Sequence, residues 1–269
     1  MDSKIVLITG GSSGIGKAIG IYLTKKGFTV YGTTRNLKKY PDFTEFQLLE
    51  MDVREPQSVN RAIDVLLEKE NRLDVLVNNA GVGITGPLEE TPNKEILNAF
   101  DINFIGPLNV IKSVLPQMRR QGSGLIINIT SIAGYMGLPY RGIYSATKGA
   151  LELITESLRM EIKDFGITCT CLAPGDFATN IAAGRYHAPV NNDSPYKESY
   201  GKTLNTIDQD VDKGGDPEEV AKKVLQIINT KNPKVHYKVG ALLQKFSIVL
   251  KKVLPDTWYE QLLLNHSKK

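Results

Sequence analysis

Short apolar runs rich in β-branched residues alternate along this chain with longer stretches whose apolar positions recur every three or four residues. The first pattern predicts strands at 4–9, 29–33, 45–50, 73–77, 125–130, 167–172 and 235–239. The second predicts helices at 15–26, 56–69, 94–119, 144–165 and 217–229. Several strands are apolar nearly throughout, as strands are when both faces of a parallel sheet are covered. The alternation therefore predicts an α/β fold, a doubly wound parallel sheet of seven strands with helices on both faces. No Pro/Gly/Ser-rich linker divides the chain. One domain is expected, with residues 1–240 as its body and 241–269 as a helical extension.

Two stretches break the rhythm. Residues 176–215 carry prolines, glycines and polar residues without sustained periodicity, and a connection of that length is expected to be a lid or binding loop for substrate. In the tail, GALLQKFSIVLKKVLP is amphipathic. Leu242, Leu243, Phe246, Val249, Leu250, Val253 and Leu254 fall on one helical arc, with Ile248 the misfit. From Lys231 to Lys252 there are six lysines and no acid. A helix over the substrate pocket, a dimer face and a membrane-surface helix (241–254) would each read this way, membrane contact being the less favoured.

Composition narrows the choice of function. The chain has 269 residues, with 33 Lys+Arg against 29 Asp+Glu, and a net charge of +4 is too small to argue for nucleic acid. Hydrophobic residues at 41% and charged residues at 23% fit a globular chain and exclude a disordered one. No apolar run approaches the length of a bilayer span, and the residues before the first strand are too few for a signal peptide, so a cytoplasmic protein is expected. Cys169 and Cys171 share one strand face and are poorly placed to bridge each other. With three histidines in the chain, no metal site is expected.

The opening segment KIVLITGGSSGIGKAIG is a buried strand running through glycines into a helix. Gly10, Gly14 and Gly16, spaced GxxxGxG, let the turn tighten around Ser12, Ser13 and Ile15, so that backbone N–H groups can approach a pyrophosphate at the helix N-terminus. Further on, Tyr144 and Lys148 stand four apart on one helix and project from the same face. A free phenol is a poor base at neutral pH, and an ammonium beside it stabilises the phenolate. Such a pair can give a proton to a carbonyl or take one from an alcohol.

Taken in order, the glycine turn, NNAG at 78–81, Asn103, Ser131 and the run from Tyr144 to Lys148 resemble the short-chain dehydrogenase/reductase family, nearest its retinol and 17β-hydroxysteroid dehydrogenase-like members. The resemblance spans nearly the whole chain. It implies a Rossmann fold and hydride transfer between a nicotinamide dinucleotide and a carbonyl or secondary alcohol. By the same resemblance Tyr144 moves the proton, Lys148 supports it, Ser131 binds the substrate oxygen, and Asn103 holds a water linking Lys148 to solvent. Pro174, Gly175 and Thr179 would contact the nicotinamide carboxamide. Asp52 and Val53 would face the adenine edge, and Asn78, Asn79, Ala80 and Gly81 the adenosine side. A homodimer or homotetramer packed through the helices bearing Tyr144 and residues 94–119 is also implied.

Coenzyme choice rests on the end of the second strand, which reads Thr33, Thr34, Arg35, Asn36. The carboxylate that holds a ribose 2′-OH in NAD enzymes is missing, and Arg35 can pair with a 2′-phosphate. NADP(H) is expected, with NAD(H) as the alternative; Lys17 reads as a solvated helix residue. The ending of the chain looks like the retinol and steroid side of the family, which implies a lipophilic ketone, aldehyde or alcohol, with a β-ketoacyl thioester as the other substrate reading. The rival classes are an NADP(H)-sensing protein without turnover and a scaffold, and neither needs the full ordered set of polar residues.

Overall fold

The computed structural model describes residues 3–177, 184–212 and 214–267. Seven parallel strands form the central sheet: β1 (Ile5–Ile8), β2 (Thr29–Thr34), β3 (Gln47–Glu50), β4 (Val75–Asn78), β6 (Gly124–Ile129), β7 (Ile167–Pro174) and β9 (His236–Val239). Their order is β3-β2-β1-β4-β6-β7-β9. The chain winds outward from β1 to β3, then returns past β1 and winds the other way. That reversal between β1 and β4 opens a crevice at the carboxyl ends of the strands.

The period of two in the strands sorts the core. Ile5 and Leu7 join one buried cluster with α2 (Pro56–Glu70) and α4 (Gly106–Gln121), while Val6 and Ile8 join the opposite cluster with α1 (Gly14–Lys25) and α7 (Pro217–Ile228). The expected strands and helices are present with ends moved by a few residues. The helix carrying Tyr144 is α5 (Gly142–Glu161), followed by a short 3₁₀ turn at Lys163–Phe165.

Two expectations are corrected. The single helix expected at 94–119 is instead α3 (Asn93–Phe100), a π turn at Asp101–Ile105, and α4. Pro107 lacks the N–H that would bond the carbonyl of residue 103, and the Asn103 side chain is drawn onto the backbone of Val82. The stretch 176–215 is not a bare loop. It contains β8 (Tyr186–His187), paired with β5 (Ile84–Thr85), and a sixteen-residue helix, α6 (Lys197–Asp212). The buried face of α6 includes Tyr200, Thr203 and Ile207, and the threonine disguised its helical period. Tyr200 also donates its hydroxyl to the carbonyls of Ala188 (3.0 Å) and Thr85 (3.3 Å), tying α6 to that small sheet.

The tail is helical, as α8 (Leu242–Val253) and α9 (Asp256–Ser267). The sequence pattern leaves its orientation open. Ile248, the misfit of the sequence pattern, is the buried residue, packed with Ile132, Met136 and Tyr259, whereas most of the apolar arc faces outward. None of residues 241–254 lines the cleft described below. Among the described residues, no helix is long and apolar enough to cross a membrane.

Candidate active site

A cleft of about 730 Å³ lies along the carboxyl ends of the strands. Its floor begins at the glycine turn, where Gly10, Ser12, Ser13, Gly14 and Ile15 line it. Gly10 has φ +65°, a left-handed conformation that favours glycine. Gly16 does not face the cleft; its role is close packing, since a Cβ there would stand 2.3 Å from the Gly10 carbonyl oxygen and 2.5 Å from Asn79 Nδ2. Ser13 caps α1 in extended conformation, but its side chain makes no capping bond, and the first turn carries no acid. The helix N-terminus therefore reaches the cleft with unsatisfied N–H groups, a ready site for phosphate.

The turn is clamped from β4. Asn79 Nδ2 donates to the carbonyls of Thr9 (3.0 Å) and Gly10 (3.2 Å), while Thr9 Oγ1 accepts from the backbone N–H of Asn79 and of Ala80. Asn79, Ala80 and Gly81 line the cleft; Asn78 lies deeper, bonded to Asn128. So the asparagine after β4 acts first as a brace for the glycine turn.

At the end of β2 and β3, Thr34, Arg35, Asp52 and Val53 line the cleft, together with Asn36, Lys39, Tyr40 and Arg54, which the sequence pattern does not single out. Arg54 grips the Asp52 carboxylate with Nε and Nη2, at 3.0 and 2.6 Å, and holds it below the usual carboxylate range. This end of the cleft thus presents Arg35, Lys39 and Arg54 against one neutralised acid. Lys17 lies away from it, paired with Glu45 at 2.5 Å.

The other half is built by β6, β7 and α5. Ser131 follows β6 and accepts a bond from the N–H of Ala133 at 3.1 Å, which fixes the rotamer and leaves its own hydrogen to donate. Lys148 is buried, donates to the carbonyl of Ile129 at 3.1 Å, and sits 5.9 Å from the centre of the Tyr144 ring. Ser131, Tyr144 and Lys148 all line the cleft, joined by Pro174 and Gly175. Thr179 lies outside the described residues. Asn103 does not line the cleft. It is fully buried on the π turn, with Oδ1 accepting from Val82 N (2.8 Å) and Nδ2 donating to Val82 O (2.9 Å) and Thr147 Oγ1 (3.2 Å). Its amide fixes the wall between Gly81 and α5. Arg141, Asp176, Phe177 and Arg185 complete this end; Arg141 precedes α5, Asp176 and Phe177 follow β7, and Arg185 precedes the strand paired with β5, an arrangement the sequence pattern does not display.

One turn below Lys148 on the same helix face lies Glu152, a buried carboxylate. It accepts from Thr130 Oγ1, from Tyr135 (2.9 Å) and from His236 Nδ1 (2.7 Å), and the other ring nitrogen of His236 meets Glu156 at 3.0 Å. Burial, then the charge of Glu152, pushes the Tyr135 hydroxyl and the Cys171 thiol far up. Cys171 thus belongs to a network whose acceptors are already taken, although Glu152, Cys171 and His236 bring ligand-type atoms within 4.8 Å of one another. Cys169, also buried, is pushed up to about 12.

With this geometry in hand, the comparisons agree. Residues 4–189 match the family described as short chain dehydrogenase. A 3-ketodihydrosphingosine reductase from Bacteroides thetaiotaomicron is 38% identical across 98% of this chain and 97% of its own length. The 17-beta-hydroxysteroid dehydrogenase type 1 of Mus musculus is 33% identical across 88% of this chain and 74% of its own. A solved structure of ElxO with NADP bound superposes with a TM-score of 0.72 at 29% identity, covering 88% of this chain and 97% of the other. A doubly wound sheet, a glycine turn opening α1, and a Ser–Tyr–Lys set around one crevice all lead to the same statement: the chain belongs to the short-chain dehydrogenase/reductase family of oxidoreductases.

Proposed function

We propose that this oxidoreductase transfers a hydride between NADP(H) and a lipophilic carbonyl or secondary alcohol. The observation that carries the reading is the convergence of Ser131, Tyr144 and Lys148 on one cleft whose far end is an uncapped helix N-terminus. That terminus, with no acid in its first turn, fits a pyrophosphate. The cluster of Arg35, Lys39 and Arg54 beside a neutralised Asp52 supports a 2′-phosphate, because the nearby carboxylate on the cleft is already held by Arg54. When bound, the coenzyme supplies or accepts the hydride at its nicotinamide ring.

The chain's own residues handle the proton. In the reducing direction the Tyr144 hydroxyl donates to the carbonyl oxygen as negative charge builds there. Ser131, its lone pair occupied by Ala133 N–H, donates a second hydrogen bond to that oxygen. The Lys148 ammonium, anchored on Ile129 O, stabilises the phenolate that remains. Names of the relatives support a bulky apolar substrate: one is a 3-ketodihydrosphingosine reductase, another a 17-beta-hydroxysteroid dehydrogenase.

A panel of long-chain ketones, steroids, retinal and acyl thioesters, run with NADPH and with NADH, tests the reading. NADPH oxidation with a lipophilic ketone is expected to outpace NADH oxidation. Tyr144→Phe is expected to abolish turnover while NADPH binding, followed by fluorescence titration, stays near wild type. NADPH binding without turnover on any member of the panel would instead favour the sensing protein.

A further inference from the structure

We infer that the outward face of α8 docks this protein on an anionic phospholipid surface. Leu242 and Leu243 are 80% and 82% exposed, Val253 is 73% exposed, and Phe246 and Val249 are about half exposed. Leu242, Phe246, Val249 and Val253 lie on one stripe of the helix, with Leu243 at its edge. The opposite side of α8 is the one that packs on the body: Ile248 is buried, Gln244 bonds Asp176, and Lys251 Nζ donates to the carbonyl of Tyr135 at 2.7 Å. The apolar stripe is therefore not core that happens to be loosely packed. It is a face held away from the fold.

The charge pattern selects the partner. Lys245 and Lys252 flank the stripe on one side, and the segment from Lys231 to Lys252 contains six lysines and no acid. Lysines beside an exposed apolar stripe can bury their stems at the edge of a bilayer while their ammonium groups meet lipid phosphates. A two-fold antiparallel pairing of α8 with a second copy would instead set one lysine flank against the other. Trp258, at the start of α9, is also exposed, an aromatic of the kind found at headgroup level.

Docking by this face has a consequence for the cleft. Gln244, on the inner side of α8, accepts from Asp176 N (3.3 Å) and donates to the Asp176 carboxylate (2.7 Å), and Asp176 lines the cleft. The helix on the lipid surface is thus bonded directly to a residue that lines the cleft. The docking itself does not depend on which substrate is used.

Flotation of the full chain with vesicles of equal parts phosphatidylcholine and phosphatidylglycerol, and with phosphatidylcholine alone, tests the inference. At physiological salt the wild type is expected to float with the anionic vesicles and not with the neutral ones, and to be released at high salt. The double variants Leu243→Asp/Phe246→Asp and Lys245→Glu/Lys252→Glu are each expected to lower the bound fraction by about tenfold, with thermal midpoints near wild type. All four positions point away from the core, and the lysine pair keeps the test open should the first variant misfold. Wild type that stays unbound with anionic vesicles overturns the inference. So does flotation that survives charge reversal, or an apolar-face variant whose only effect in light scattering is to halve the molar mass, which would make this face a contact between copies.

Discussion

Substituting Gly16 by alanine adds one methyl group where the fold has no room. The added Cβ would lie 2.3 Å from the Gly10 carbonyl oxygen, 3.0 Å from its carbon and 2.5 Å from Asn79 Nδ2. Two of those atoms are backbone, and the third is the amide that bonds Thr9 O and Gly10 O, so no flexible side chain can yield. Overpacking a tight site costs about 1–3 kcal/mol. Displacing Asn79 leaves buried carbonyls short of a donor, at about 1–3 kcal/mol more. A total near 4 kcal/mol corresponds to a fall of about 10 °C in Tm for a chain of this size. The same shift moves the N-terminus of α1 relative to the cleft, so NADPH affinity is expected to drop about tenfold or more. Differential scanning fluorimetry with an NADPH titration reads both effects. Gly137→Ala is the control, because a Cβ there meets nothing within 4 Å. If Gly16→Ala kept the Tm and NADPH affinity of the wild type, the packing account of the turn would be refuted.

Two further outcomes are expected. Glu152→Gln places an amide donor among Thr130, Tyr135 and His236, all of which need its oxygens, and should cost about 2–4 kcal/mol by urea denaturation; Glu156→Gln, on the half-exposed side of the same histidine, should cost about 1 kcal/mol or less. Alkaline conditions should weaken the fold through Cys169. Its thiol keeps its proton in the folded chain up to about 12 but ionises near 9 when unfolded, so this contribution is intact below about pH 9 and lost as pH rises toward 12. The full loss is about 4 kcal/mol, and Cys169→Ala should flatten the decline between about pH 9 and about pH 11; equal slopes for the two proteins would contradict it.

How much of this was visible in the chain itself follows from where the information sits. Strands such as VLVN at 75–78 are buried on both faces, so local composition alone marks them. The Tyr144–Lys148 face is legible because helical spacing is local. Features that depend on contacts between distant segments are not. The π turn at Asp101–Ile105 is held by bonds from Asn103 to Val82, twenty-one residues back. The two-residue strands β5 and β8 have no period to detect and exist through each other. Arg54 belongs to the cleft through its grip on Asp52, and Arg185 through its packing over Gly83. In the tail, the apolar arc is a true helical face, but an amphipathic pattern shows only that a helix has an apolar side. It leaves open whether that side packs inward or is turned to solvent, and Ile248, alone on the other side, decides which way α8 turns.

That orientation ties the ends of the molecule to its chemistry. Tyr144, Lys148 and Glu152 recur every fourth residue along one face of α5, so the Tyr–Lys pair and the buried carboxylate are rigidly spaced. Glu152 reaches His236 on β9, the edge strand, and Tyr135, whose carbonyl receives Lys251 from α8. Gln244 on the same helix reaches Asp176 at the cleft rim. The tail therefore meets the half of the cleft built by β6, β7 and α5 by two hydrogen-bonded routes, one through Tyr135 and Glu152 and one through Asp176.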